Sequence, residues 1–545
     1  MDGSAAEDQS GTATNTDTQK TIHGLTRRVL TLALKQRPPS AASGLLFVLL
    51  LTLLTVLHCM AVNAGWGVYG FSFDDSWIHV QYARTIFEGY PWEYSGGIPS
   101  TGSSAPLWSV LLSPIFILGY EMETVVAAVT FISAALYVLD TFLVGELVRQ
   151  HTGRWEVGLV GQVVFVITPR NTGLMLSGME TPLAMFFLLL ALLWLPRLEQ
   201  RYDPLLGIVA GLAYLCRPEF VLIVALCFPV RVLQVLRKRQ LTLRRSGWLF
   251  SMFILAGLIA LPWTLHCLNV TGLPLPDSYY AKLRFIPDEQ AYQLWTGWWL
   301  AWLTGELFYI DVAIVVAVFP VLKGRPYETI LASSFFLLYH LTMPATALLF
   351  DARYLVPLFD LMGIIFVVGV TLVLERLWSS GRSAAHLSQG DLTRTATVVV
   401  ILILFVPVAP WYGHHLNIHA NQVKNISEMQ VSCARWASEN LPADAVIAVY
   451  DVGAIGYLWR GTVLDVFGLV TPPVLHNCNT TLEVVDYLIS KNCTHVIFYD
   501  PWIVYLRYCL SFRGWTLVEL FRVTLTDNVV CGTNDMVVYA LTRSG

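Results

Sequence analysis

Residues 44–62, GLLFVLLLTLLTVLHCMAV, are followed after a short spacer by FSFDDSWIHVQYAR at positions 71–84. The first stretch is about the length of apolar chain that crosses a bilayer, roughly 20 residues as a helix. It begins well past the basic residues Arg27, Arg28, Lys35 and Arg37, so it is predicted to be an uncleaved signal anchor with the N-terminus in the cytoplasm. Residues 1–20 are polar, rich in Ser, Thr and Gly and free of aromatics; residues 1–43 are read as a largely disordered cytoplasmic tail. The second stretch then emerges on the outer face. It sets two adjacent carboxylates, Asp74 and Asp75, at the membrane surface and leads into an amphipathic helix with Trp77, Val80, Ala83 and Phe87 on one side.

The rest of the chain has the composition of a lipid-embedded protein. Hydrophobic residues make up 55% of the 545, and charged residues only 13%, about half the share of a soluble domain. A net charge of -4 gives no footprint for nucleic acid. Apolar runs occupy residues 44–62, 124–148, 157–176, 182–195, 204–215, 220–236, 247–267, 299–322, 329–349, 355–377 and 395–411. Eleven spans with the N-terminus inside place most of the 34 Lys and Arg residues on the cytoplasmic side, including Arg237, Lys238, Arg239, Arg244 and Arg245. Counting residues 105–120 as a span would put Arg149 and Arg154 outside, so that short segment is read as interfacial or re-entrant. The runs ending at 195 and 215 are short for spans.

This arrangement predicts a transmembrane module over residues 44–412, interrupted by a long first outer loop at 63–123. Loops of that length are usually functional. Residues 413–545 carry strand-like runs at 445–450, 494–499 and 536–541, alternating with helical stretches at 428–440 and 482–490. A small extracytoplasmic α/β domain is expected there. Sequons at Asn269, Asn425, Asn479 and Asn492 all fall outside on this topology, as expected of a glycoprotein. Five of nine cysteines (Cys433, Cys478, Cys493, Cys509 and Cys531) lie in the outer domain, enough for two disulfides or for none.

Carboxylates at membrane depth are costly and mark function. Neighbouring like charges raise one pKa towards that of a general base. The competing reading of Asp74 and Asp75 is a helix cap beside a solvated side chain. Among the cations, Arg217 and Arg353 could equally be salt-bridged to Glu219 or Asp351, and Lys282 and Arg284 could touch lipid headgroups. His79 is read as a polar-face residue, and the Gly453/Gly456 turn as structural.

The motifs Asp74-Asp-Ser-Trp-Ile-His-Val-Gln-Tyr-Ala-Arg84, Glu88-Gly89, Gly96-Gly97 and Ser100-Thr-Gly-Ser-Ser-Ala-Pro106-Leu-Trp108 resemble the first outer loop of GT-C superfamily glycosyltransferases. The closest likeness is to the arabinofuranosyltransferase-like branch, related to protein O-mannosyltransferases and lipid A aminoarabinose transferases. Ser177-Gly-Met-Glu180-Thr181, Arg217-Pro-Glu219, Pro276-Asp-Ser-Tyr-Tyr-Ala-Lys282, Arg353-Tyr354-Leu-Val-Pro357 and Tyr450-Asp451-Val-Gly-Ala-Ile-Gly456 follow in the same order. The resemblance implies a GT-C-like polytopic membrane protein that moves a sugar from a polyprenyl-phosphate donor to a glycan, lipid or protein hydroxyl on the non-cytoplasmic face, with inversion. It implies Asp74 as the base, with Asp75 beside it. Arg217, Lys282 and Arg353 are the expected phosphate ligands, with Arg84 as a fourth, and Glu219 and Tyr354 belong to the same motifs. Glu180 is expected to bind acceptor or to share a divalent metal, Mg or Mn, with Asp75; no other cofactor is implied. A secondary transporter and a catalytically inactive GT-C-like binding protein are the alternatives, and the plasma membrane and the endoplasmic reticulum are both open.

Overall fold

The computed structural model describes residues 41–283, 305, 308–323, 327–342, 353–380 and 389–543. The tail, Arg284 and Asp351 therefore lie outside the described residues. Helix Ala41–Gly65 is 25 residues long, which at 1.5 Å per residue is about 37 Å, more than a bilayer core. Its leucines at 45, 46, 49, 50, 53, 54 and 57 all face outward, an arrangement that only lipid tolerates. Among the described residues, five helices are long and apolar enough to cross a membrane: Ser43–Gly65, Met122–Thr152, Leu243–Thr271, Arg353–Leu377 and Thr395–Asn440. The fourth is the hub of the bundle, with 89% of its apolar window buried against 22–39% for the others.

Shorter apolar helices fill the space between them. Thr181–Trp194 and Tyr202–Cys216, with 14 and 15 residues, are buried along most of their length. At roughly 21 Å they are too short to span unaided. Tyr202–Cys216 lies tight against Leu243–Thr271 because Gly207 and Gly211 bring the backbones together; a Cβ on Gly207 would stand 2.3 Å from the Met252 carbonyl.

Several boundaries differ from the sequence reading. The run 157–176 is two helices, Trp155–Ile167 and Asn171–Met175. Pro169 breaks it, Arg170 takes a left-handed φ of 70°, and the Asn171 side chain donates to the Phe165 carbonyl that lost its helical partner (2.7 Å). The segment 105–120 is a short helix, Pro106–Leu112, followed by a tight turn, Ser113–Ile117. The expected boundary at 413 falls inside a helix. Ala409–Ile426 runs through a π turn at Ser427–Val431 into Ser432–Asn440, carrying the last long apolar helix into the C-terminal domain without a linker.

That domain is a five-stranded sheet in the order β2-β1-β3-β5-β4, with β1 Ile447–Val449, β2 Val463–Asp465, β3 His495–Tyr499, β4 Trp515–Thr524 and β5 Asp535–Arg543. The first three strands are parallel and the last two antiparallel. One face (Ile447, Val449, Ile497, Met536, Val538) packs on Ser432–Asn440 and Gly453–Leu458. The other (Ala448, Leu464, Val496, Val537) packs on Thr481–Ser490 and Val504–Phe512. None of the nine cysteines, all of them among the described residues, is in a disulfide. Of the four sequons, Asn425 is buried and donates to the Asp527 carbonyl, so it is not a surface acceptor; the other three are exposed.

The first-loop helix Asp74–Phe87 is wedged between module and sheet. Trp77, Val80 and Ala83 enter the core of the membrane module, while Ile78 and Tyr82 enter the core of the α/β domain. It is buried on both faces, not amphipathic, and Phe87, expected on the apolar face, is partly exposed.

Candidate active site

Where module, loop and α/β domain meet, a cavity of about 470 Å³ opens, a volume typical of small-ligand sites. Asp74, Asp75, Glu180, Arg217, Glu219, Lys282, Arg353 and Tyr354 all line it.

Its carboxylate wall starts at the first turn of the loop helix. Asp74 Oδ2 accepts from the Gly453 amide at 2.7 Å and Oδ1 from the Ala454 amide at 2.8 Å. Only glycine fits at 453, since a Cβ there would stand 1.9 Å from the Asp74 carbonyl oxygen. The amides of the Gly453 turn are thus spent on a carboxylate. Burial, helped by the negative charge of Asp451, lifts the Asp74 pKa well above the carboxylate range against the pull of the two amides. Burial also raises Asp451, restrained by hydrogen bonds from Tyr499 Oη and from Gln430 Nε2 (2.8 Å).

The cationic wall adjoins it, with Arg353 bonded to Asp75 and lying 5.2 Å over the Phe73 ring. Tyr354 is its centre: Lys282 Nζ lies 4.6 Å, Arg353 Cζ 4.9 Å and Arg217 Cζ 5.1 Å from the ring centroid. Three cations separated by up to 136 positions in sequence converge on one ring, within cation–π range. Local sequence explains their placing. Arg217 follows helix Tyr202–Cys216 and precedes Pro218, which forces it into an extended conformation (φ -155°). Arg353 opens the hub helix, and Lys282 sits in the last turn of Asp277–Leu283.

The cations are not equally available. Arg217 Nε donates to Glu180 Oε1 at 2.6 Å and lies 3.7 Å from Glu219. The other Glu180 oxygen faces His79 Nε2 at 3.2 Å, so His79 is a buried partner rather than a polar-face residue. Burial would raise the Glu180 pKa, but Arg217 and His79 outweigh it and hold the carboxyl far below its usual range. Arg353 bonds to Asp75 and donates to Tyr354 Oη at 2.9 Å. Lys282 has no carboxylate within 4 Å among the described residues.

One expectation needs correction. Arg84 is not at the cavity. Ten residues along the helix carry it about 15 Å from Asp74, where its Nη1 donates to the Tyr457 carbonyl (2.7 Å) and it lines a separate polar cavity of about 320 Å³. Asp75 and Glu180, the carboxylates considered for a divalent metal, are each held by other partners. Glu180 is taken up by Arg217 and His79, Asp75 by Arg353, and among the described residues no group of three His, Cys, Asp or Glu could hold an ion.

The sequence reading missed the third wall. Tyr450, Asp451, Tyr499 and Trp502 line the cavity at the carboxyl ends of β1 and β3, with Trp502 5.1 Å from Tyr450 and 5.0 Å from Tyr499, ring to ring. β1 leads to β2 on one side and β2 crosses over to β3 on the other, so these ends form a switch point, the usual ligand crevice of an open α/β sheet. A short strand running into Tyr450-Asp451-Val452-Gly453 was the available signal.

The same architecture occurs in two crystal structures of ArnT from Cupriavidus metallidurans. One is bound to undecaprenyl phosphate (TM-score 0.53, 14% identity) and one is apo (TM-score 0.52, 13% identity), each match covering 92% of this chain and 98% of the other. This chain has the GT-C fold. A crystal structure of the Archaeoglobus fulgidus oligosaccharyltransferase tethered to an acceptor peptide also matches, at TM-score 0.49 and 13% identity, over 82% of this chain and 69% of that one. Residues 417–539 match a family model described as a domain of unknown function, DUF8728. No curated protein matches significantly. On the GT-C fold, that match covers the outer domain and the end of the helix feeding it.

Proposed function

We propose that this chain is a membrane glycosyltransferase that moves a sugar from a polyprenyl-phosphate donor to an acceptor hydroxyl at the non-cytoplasmic face. The observation that carries the reading is one cavity lined both by three cations around Tyr354 and by Asp74. A leaving phosphate monoester needs the first, and an attacking hydroxyl needs the second. The ArnT relative in fold was crystallised with undecaprenyl phosphate, which agrees with a lipid phosphate in such a cavity.

In this mechanism the acceptor oxygen attacks the anomeric carbon while its proton passes to Asp74. The bond between that carbon and the phosphate oxygen breaks, and the lipid phosphate departs with the electron pair into the field of Lys282 and Arg353. Attack opposite the leaving group inverts the anomeric centre. Asp74 suits its part because the two amides fix its orientation yet leave a lone pair on each oxygen. Its raised pKa brings a carboxylate closer to neutrality, where a general base is most effective.

The test is to reconstitute the purified protein, supply a panel of polyprenyl-phosphate sugars with acceptors, and measure released polyprenyl phosphate. Release is expected with at least one donor, and Asp74→Asn should lower it by about 10²- to 10⁴-fold. Asparagine also turns an NH2 towards one of the amides, so melting temperature is measured alongside. Full turnover by folded Asp74→Asn would reject the mechanism.

A further inference from the structure

We propose that Asp451 of the α/β domain is a positioning residue for the reaction: fixed beside Asp74, it sets the pH range over which the first-loop carboxylate takes up a proton. This deepens the reading of Asp74 as base and rests on it.

The geometry is built for one arrangement. Asp451 ends the β1 turn two residues before Gly453, whose amide grips Asp74. Tyr94 Oη donates to the intervening Val452 carbonyl at 2.8 Å and pins that turn to the first loop. Two donors converge on Asp451 Oδ2, Tyr499 Oη and Gln430 Nε2, and Gln430 also reaches Tyr499 Oη at 3.1 Å. Gln430 comes from the π turn of the long helix, where the extra residue redirects the side chain. These bonds favour a negative charge on Asp451, next to a carboxylate that must accept a proton.

The other groups around Asp74 supply less of this charge or none. Asp75 also raises Asp74, but less than Asp451 does, and its charge is paired with Arg353, which in turn bonds Tyr354 Oη. His79, one turn along the same helix, belongs to Glu180 and Arg217. Arg84 is bound to Tyr457 at the far end of the helix. Tyr94 and Cys531, the remaining titratable neighbours, have pKa values pushed upward by burial and are neutral. Asp451 is therefore the main anion that makes Asp74 the stronger base, and its part in the reaction is played through Asp74. The pKa directions agree: after burial, Asp451 is the largest influence raising Asp74.

The experiment uses the full chain in lipid nanodiscs. A hydrophobic carbodiimide modifies protonated buried carboxyls, and mass spectrometry gives the fraction of Asp74 modified as a function of pH. Asp451→Asn should move the midpoint down by about one pH unit, and Asp451→Glu should restore most of it. Tyr499→Phe, which leaves Asp451 less readily ionised, should also lower the midpoint and serves where Asp451→Asn does not fold. An unchanged midpoint in a folded Asp451→Asn or Tyr499→Phe variant overturns the proposal. In turnover, Asp74 must be deprotonated, so kcat rises with pH through its pKa. The acidic limb of Asp451→Asn should therefore shift to lower pH, with a lower plateau because the base is weaker. Failure of the wild-type protein to turn over any donor would count against the functional reading alone, since the labelling midpoint is measured without a donor.

Discussion

Arg217, Lys282 and Arg353 meet at one tyrosine but do different work. Arg217 is buried against Glu180, whose low pKa marks a carboxylate kept charged at neutral pH. That contribution is present above the ordinary carboxyl range and is lost only as pH falls below about 4.5 towards the depressed value. Arg217→Ala strands a buried charge and should cost about 3–5 kcal/mol of stability; thermal unfolding of the purified variant checks this, and an unaltered melting temperature would show the pair to be dispensable. Lys282 has the lightest structural duty, so Lys282→Ala should unfold like the wild type and raise the donor KM about tenfold or more. Arg353→Lys keeps the charge but replaces the planar guanidinium, whose Nη2 serves both Asp75 and Tyr354, with a point charge. Donor kinetics at saturating acceptor should show a lower kcat for it, and full activity would remove Arg353 from the site. Most of this wall was legible in the sequence: Arg217 and Arg353 sit at the ends of apolar runs, where a charge is expensive, and Lys282 closes the motif Pro276-Asp-Ser-Tyr-Tyr-Ala-Lys282. Pairing was not legible: Asp75 finds Arg353 across 278 positions.

The first-loop helix Asp74–Phe87 and the short helix Gly453–Leu458 are clamped at both ends. Asp74 takes the amides at the start of the short helix, and Arg84 takes its Tyr457 carbonyl near the end. Charge at each end complements the exposed backbone groups. Trp77 stacks on Tyr457 between them, at 5.2 Å. Gly453→Ala would push a methyl to 1.9 Å from the Asp74 carbonyl oxygen, backbone that cannot swing aside, and to 2.7 Å from its Oδ2. It should lower turnover at least tenfold while leaving lipid-phosphate binding near wild type, as read by single-turnover kinetics beside a binding assay. Wild-type turnover in this variant would contradict the clamp. Arg84 was placed among the phosphate ligands from its motif alone, and nothing in the sequence announces a carbonyl partner 373 positions away. β1 and β2 are three residues each, too short for alternation to show which face is buried, so the Asp451 wall stayed hidden.

At the scale of the whole molecule, the outer domain is not separable from the membrane module. Ile78, Tyr82 and Tyr94 of the first loop complete one of its two cores. The last membrane helix continues into it to Asn440. Residues 413–545 expressed alone should therefore melt at a lower temperature than the domain does in the full chain, and equal melting would contradict the docking. Charge asymmetry predicts that the loop and the 237–245 basic segment lie on opposite sides of the membrane. Cysteines placed at the exposed positions Tyr90 and Gln240 should label from opposite faces of sealed vesicles. The broad organisation, a membrane bundle followed by a small α/β domain, was readable from apolar runs; the break at Pro169 and the continuous helix through residue 413 depend on packing that no hydropathy window contains.

The central claim is that the Tyr354 cation cluster receives a lipid phosphate, and equilibrium binding of undecaprenyl phosphate to the purified chain tests it without assuming the sugar or the acceptor. Saturable binding is expected, weakened about tenfold or more by Lys282→Ala and further by Lys282→Ala with Arg353→Ala, and unaffected by Arg84→Ala. Equal affinity in wild type and the double variant, or a loss only in Arg84→Ala, would place the phosphate elsewhere and contradict the account.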